Sequence, residues 1–145
     1  IAADKFMESA TVQVALFDGQ TVDVHIKIQS QESLLAEADF VSLHVPAQKD
    51  YVIGANEFNQ MKDGAAIVNA ARGGVIDEVA LLKALDSGKL SFAGLDTFEE
   101  EPKPAMQVLM HPKVSLTPHI GAATGEAQDR IGEELASQIS ILLKK

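Results

Sequence analysis

The stretch Val68-Asn69-Ala70-Ala71-Arg72-Gly73-Gly74-Val75-Ile76-Asp77-Glu78 decides the fold. The apolar segment before it, Ala65 to Val68, reads as a buried strand that runs into a tight turn holding one arginine and two glycines. Asp77 is placed to cap a helix, and Glu78 in the first turn suits the positive end of the helix dipole. Strand, turn and helix in that order predict one βα unit of a parallel sheet. Ligands of open α/β sheets gather beyond the carboxyl ends of the strands, and Arg72 stands at such an end. The glycines relieve the backbone there and let another group come close. An isolated loop arginine is more often an ordinary surface residue, and only further polar groups at the other strand ends would point to chemistry.

The same alternation continues on both sides. Downstream, Leu81, Leu82 and Leu85 form a helical stripe ended by Gly88, and Ser91 to Leu95 is a strand closing at Asp96. An acidic loop, Glu99-Glu100-Glu101 with Pro102 and Pro104, leads to a helical turn or two at Ala105 to Met110. Val114 to Thr117 is a strand stopped by Pro118-His119, and Thr124 starts a long helix with the apolar stripe Ala127, Ile131, Leu135, Ile139 and Leu142. Upstream, Asp63-Gly64 is a turn, Asn56 to Met61 a short helix, Phe40 to Val45 a strand stopped by Pro46, and Ser30 the cap of another short helix. Val22 to Ile28 alternates as a half-buried strand, Met7 to Phe17 reads as a short helix broken by Gly19, and Ile1 to Ala3 as a strand stopped by Asp4. Together these predict an α/β fold of the Rossmann type: a doubly wound parallel sheet, covered on both faces.

Composition narrows the function. At 145 residues with 46% hydrophobic and 23% charged residues, the chain has the length and make-up of one soluble globular domain. No apolar run approaches the roughly 18 residues that span a bilayer, so no membrane partner is expected. The absence of cysteine excludes disulfides and thiolate metal sites and fits a cytoplasmic location. A net charge of −9 argues against nucleic acid as a partner. A phosphate-bearing cofactor is still possible, because helix N-termini and backbone N–H groups can hold one.

Polar residues stand at four predicted strand ends, Asp4, Arg72, Asp96 and His119, with Glu101 in the loop beyond one of them. Each has a plainer reading. Asp4 and Asp96 could be turn residues, Glu101 part of a solvated acidic run, and His119 a loop histidine. His25, His44 and His111 are taken as structural, without a convincing partner. Parallel strands put their carboxyl ends on one edge, so Arg72, Glu101 and His119 can converge there. A histidine beside a carboxylate is held in one tautomer with its protonated form stabilised, which makes it a usable acid or base. An arginine fork binds a carboxylate with two hydrogen bonds. This set suits a 2-hydroxy or 2-keto acid. It cannot move a hydride by itself, so a nicotinamide cofactor is expected.

Four segments carry a resemblance to a known family: Val41 to Pro46, Asn69 to Glu78, Gly94 to Pro102 and Leu116 to Ala122. In their order and spacing they resemble the NAD-dependent D-isomer-specific 2-hydroxyacid dehydrogenases, from Ser30 onward and more weakly between Met7 and Lys27. The resemblance implies that Arg72 orients the substrate, Glu101 is the supporting acid and His119 the proton donor. It places Asp96 at the nicotinamide carboxamide and Asp4 at the adenosine ribose hydroxyls, which favours NAD over NADP. Ala70, Ala71 and Arg72, with His119, Ile120, Gly121 and Ala122, would line the cofactor, and His44, Val45 and Pro46 its adenine side. The implied protein is a homodimer acting on a small 2-hydroxy acid; overall likeness points to 3-phosphoglycerate, the first step of serine biosynthesis.

The chain departs from the family in one respect. It opens on Ile1 without methionine and contains no G-x-G-x-x-G, so residues 1–145 are expected to be an NAD-binding domain lacking its first βα unit. Residues 123–145 would then be the helix returning toward an absent substrate domain. Alone, such a piece is expected to bind NAD weakly and to catalyse nothing. Thr97 stands where many relatives have valine. A sensor of NAD(H) acting through partner surfaces is the alternative in another class. Formate dehydrogenase is disfavoured because its relatives usually have glutamine where Glu101 sits.

Overall fold

The structure, a computed structural model, describes residues 1–143. Its centre is a parallel sheet of β3 (Phe40–Leu43), β4 (Ala65–Asn69), β5 (Leu90–Leu95) and β6 (Val114–Leu116), in that order across the sheet. Short helices connect them: α1 (Gln31–Glu37) precedes β3, α2 (Ala55–Gln60) leads to β4, α3 (Glu78–Asp86) to β5 and α4 (Met106–Leu109) to β6. The predicted caps form. The Ser30 side chain accepts from Ser33 N, and that of Asp77 accepts from Ala80 N at 2.9 Å. Gly88, at φ 79°, turns the chain out of α3 in the left-handed conformation that glycine adopts without a steric penalty.

The parallel α/β architecture is the expected Rossmann-type one, but the cover is one-sided. Across the register, Val41, Ile67, Ala93 and Val114 lie in one row and Leu43, Asn69, Leu95 and Leu116 in the next. These rows face the helices, and Ile67, Ala93, Leu81, Leu85 and Leu90 are completely buried between them. The opposite face carries Phe40, 81% exposed, with Val68 and Phe92 also open. Strand order explains this. β3 to β6 progress in one direction, and right-handed crossovers then lay every connecting helix on the same face. Helices change face only where strand order reverses.

Three local expectations are corrected. Residues 7–17 are no helix: β1 (Ser9–Ala15) pairs antiparallel with β2 (Thr21–Lys27) in a separate hairpin. The period-2 run Thr11-Val12-Gln13-Val14 is the missed signal, and Gly19, at φ 82°, sits in the hairpin turn. Val12 pairs with Val24 and Val14 with Val22 on one face, but these valines remain exposed, so β2 is not the half-buried strand expected of Val22 to Ile28. Ile1 to Ala3 makes a single parallel bridge, Ala2 to Ile28, in place of a strand. The long helix α5 (Gly125–Leu143) starts as expected, with Thr124 Oγ1 accepting from Ala127 N at 3.2 Å. Its stripe does not find a core, and Ile131, Leu135, Ile139 and Leu142 are all exposed.

Thr97, just past β5, is buried and its hydroxyl has no hydrogen-bond partner. An unsatisfied buried hydroxyl is unfavourable, and valine has nearly the same shape without it. Thr97→Val is therefore expected to stabilise the fold by about 1 kcal/mol, read as a higher urea midpoint at unchanged slope.

Candidate active site at the carboxyl edge of the sheet

Asn69, Leu95 and Leu116 stand side by side at the carboxyl ends of β4, β5 and β6, so the loops that follow them begin on one rim. The first loop is shaped by Asn69, which is buried. Its Oδ1 accepts from Ala71 N at 3.1 Å and its Nδ2 donates to the Arg72 carbonyl at 2.9 Å, folding the chain into the turn that carries Arg72. The sequence signal for this residue was a polar side chain closing an apolar strand. Gly73 comes next against the second loop: a Cβ there would lie 1.8 Å from the Phe98 carbonyl oxygen. Glycine is required at this position by close approach of two backbones.

The second and third loops are joined by carboxylates. Asp96, buried at the end of β5, accepts from Thr117 Oγ1, from Ile120 N at 2.8 Å and from Gly121 N at 2.8 Å. Burial pushes its carboxyl upward, but these three hydrogen bonds outweigh that and hold it below the ordinary carboxylate range. Thr117, not singled out in the sequence, is part of this anchor. Glu101 Oε1 accepts from Phe98 N at 3.0 Å, while Oε2 meets His119 Nδ1 at 2.8 Å. The bond to His119, then that from Phe98, lowers the Glu101 carboxyl. His119 itself sits at φ 55°, the left-handed region that a residue with a Cβ adopts at some energetic cost. Its side-chain bond to Glu101 and the bonds from the next two residues to Asp96 hold it there.

The structure therefore brings Glu101 and His119 into contact and packs the Arg72 turn against the loop carrying Glu101. The Arg72 guanidinium is exposed and donates from Nη1 to the Ala71 carbonyl at 2.6 Å. A Cβ on Gly121 would come 4.0 Å from that of Ala70, so the 70–72 and 119–122 loops adjoin. Ala70, Ala71, Gly121 and Ala122 present only small side chains on this rim, a shape that fits the planar nicotinamide end of a dinucleotide. A cleft of about 430 Å³ opens beside it, lined by Glu101 and His119 with Phe98, Pro102, Leu109 and Leu116 among its apolar walls.

The remaining candidates lie apart from this cluster. Asp4 Oδ1 accepts from Phe6 N at 2.7 Å and Met7 N at 3.1 Å, closing a turn at the base of the hairpin. His44 follows β3 on the carboxyl edge, and its Nε2 lies 2.9 Å from Ser42 Oγ. Val45 packs against the core and Pro46 is exposed. The histidines taken as unpartnered all find partners: His25 with Thr11, His44 with Ser42, and His111 with Asp86. Among the described residues no cluster of metal-ligating side chains forms, and no helix is long and apolar enough to cross a membrane.

Two measurements check this geometry. Gly73→Ala is expected to destabilise by about 3 kcal/mol or more, because backbone must move to admit the methyl group; chemical denaturation reads it. The side-chain carboxyl of Glu101, followed by carbon-13 NMR, is expected to titrate below a free glutamate, and His119→Ala to return it upward. Since its folded-state pKa is lowered, the support from this pair is present above the ordinary carboxylate range and disappears as pH falls through the lowered value.

Residues 2–121 match the model of the D-isomer specific 2-hydroxyacid dehydrogenase, NAD binding domain. A D-3-phosphoglycerate dehydrogenase of Archaeoglobus fulgidus is 42% identical over 83% of this chain and 24% of its own length. A hydroxypyruvate reductase of Thermotoga maritima is 45% identical over 81% of the chain and 40% of its own length. The crystal structure of a D-isomer specific 2-hydroxyacid dehydrogenase from a Polaromonas species superposes with a TM-score of 0.71 at 31% identity, over 81% of this chain and 38% of that one. The chain thus spans well under half the length of these relatives. The chain belongs to the D-isomer-specific 2-hydroxyacid dehydrogenases, as part of their NAD-binding domain, over a matched span that contains Arg72, Glu101 and His119.

Proposed function

We propose that the protein carrying this chain is an NAD-dependent dehydrogenase that interconverts a D-2-hydroxy acid and its 2-keto acid. The observation that carries this reading is the 2.8 Å pair of His119 Nδ1 and Glu101 Oε2, on the rim where the Arg72 turn packs. In oxidation, His119 takes the hydroxyl proton of the substrate through Nε2, the ring nitrogen left free by Glu101. Glu101 fixes the ring and stabilises the imidazolium that results. The exposed Arg72 fork grips the substrate carboxylate and offsets charge on the developing carbonyl oxygen. NAD, when bound, supplies the acceptor for the hydride that leaves the same carbon.

Ala70, Ala71, Arg72 and the 119–122 loop would hold the nicotinamide end, with His44, Val45 and Pro46 toward the adenine. Asp96 meets the carboxamide; its oxygens already accept backbone N–H groups but keep lone pairs for one more donor. Both backbone bonds to Asp4 fall on Oδ1, which leaves Oδ2 for the ribose hydroxyls and favours NAD over NADP. Residues 123–145, of which 144–145 lie outside the described residues, would be the segment that returns toward a substrate domain, with α5 as its helix. The preferred substrate is 3-phosphoglycerate, on the strength of overall likeness to relatives bearing that name. The resemblance further implies a homodimer with a place in serine biosynthesis, and the cysteine-free chain fits a cytoplasmic location.

His119→Ala in the full-length protein is expected to lower kcat by about 10³-fold while NAD affinity changes little, consistent with the usual contribution of a positioned acid or base. Steady-state kinetics with 3-phosphoglycerate and with the product of hydroxypyruvate reduction, beside an NAD titration, checks this. Turnover near the parent level would remove the acid–base assignment. NAD-dependent partner capture without turnover would favour the sensor.

A further inference from the structure

We infer that Glu78 and Glu99 form a reciprocal clamp that positions Glu101, and through it His119, for the proton-transfer step; this rests on the proposed dehydrogenase activity. Glu78 N donates to Glu99 Oε1 at 2.7 Å, and Glu99 N donates to Glu78 Oε1 at 2.8 Å. Each carboxylate thus accepts the other residue's backbone N–H. Tyr51 closes the arrangement by donating from its hydroxyl to Glu99 Oε2 at 3.2 Å. The clamp joins the first turn of α3, directly downstream of the Arg72 turn, to the loop that carries Glu101.

The path to the chemistry is short. Glu99 N and the Phe98 carbonyl belong to one peptide unit, which is planar and moves as a body. Glu78 holds that unit by its N–H, and Gly73 abuts its carbonyl oxygen. The neighbouring Phe98 N donates to Glu101 Oε1, whose partner oxygen holds His119. Letting go at Glu78 frees the peptide unit to rotate, and the carboxylate beneath His119 moves with it.

Burial and the structural context argue that the arrangement is more than solvated surface. Glu78 is buried, which is uncommon for a glutamate unless it is paired. Two carboxylates side by side repel, so a plain structural tie would be better served by a neutral side chain. Burial, opposed by the Glu99 N–H and reinforced by Glu99 and Glu100, raises the Glu78 carboxyl. Neither Glu78 nor Glu99 lines the cleft beside His119, so both act through Glu101 and touch no reacting atom.

The test uses the full-length protein with NAD and its 2-hydroxy acid. Glu78→Ala is expected to lower kcat about 10-fold or more, with KM for NAD unchanged, since small misplacement of a catalytic group is enough for a loss of that size. It should also shift the pH–kcat profile in the direction seen for Glu101→Gln. Glu78→Gln, whose amide oxygen can still accept from Glu99 N, should restore both. Glu99→Ala, at an exposed residue, covers the case in which Glu78→Ala does not fold, and should give the same loss. Because the pair acts as a unit, the double variant should be no worse than either single one. A kcat loss that follows only a lower Tm, with an unmoved pH profile, would overturn the clamp. So would additive single losses or no rescue by glutamine. If the parent protein shows no NAD-dependent turnover, the dehydrogenase reading itself has failed; if His119→Ala keeps full turnover, the acid–base assignment and the clamp fall together; if His119→Ala loses turnover while Glu78→Ala leaves the pH profile untouched, the clamp alone has failed.

Discussion

The site depends on one constraint: the parallel register that sets Asn69, Leu95 and Leu116 beside one another. Residues far apart in sequence begin their loops from a common rim because three strands end together. The same parallel pairing requires crossover connections, and their fixed hand lays α2, α3 and α4 on one face. Helices below and chemistry at one edge are therefore two results of a single topology. The row of Val41, Ile67 and Ala93, all buried, with the half-buried Val114, supplies apolar contact that holds the register in place. A slip by one residue would turn this row outward.

Above that frame, the loops are held by polar side chains that each bond to more than one partner. Asn69 satisfies its own turn, Asp96 takes three donors, and Glu101 divides its oxygens between backbone and His119. Hydrogen bonds to a carboxylate in a sheltered position are stronger than neutral ones, so few are needed to hold a short loop. The side chain of Arg72 is the contrast. It is exposed, and among the described residues its hydrogen bond is to its own loop, an arrangement consistent with the substrate-gripping role proposed for it.

The valine face of the β1–β2 hairpin and the stripe of α5 are amphipathic in sequence yet uncovered among the described residues. Periodicity reports that a face is apolar and says nothing of what it meets. For α3 the partner is the sheet, and its stripe is buried. For α5 no partner lies within the described residues, and the same kind of pattern stays in water.

Much of the fold was legible in the sequence. Asp77, Ser30, Gly64 and Gly88 act locally, through caps and turns, and the strands β3 to β6 announced themselves by short apolar runs between such signals. The candidates Arg72, Glu101 and His119 could be named because the groups that follow the strands of a parallel sheet share one edge, and because the segments carrying them resemble a known family. The reading failed over residues 7–17, where a weak helical pattern competed with two-residue alternation, since local signals of similar strength do not arbitrate between themselves. What only the tertiary structure decided was which groups touch. Gly73 against Phe98, the exchange between Glu78 and Glu99, and the third donor to Asp96 all join segments whose separation along the chain carries no trace of contact. A hydrogen bond requires its partners within about 3 Å, and that closeness comes from packing, not from composition.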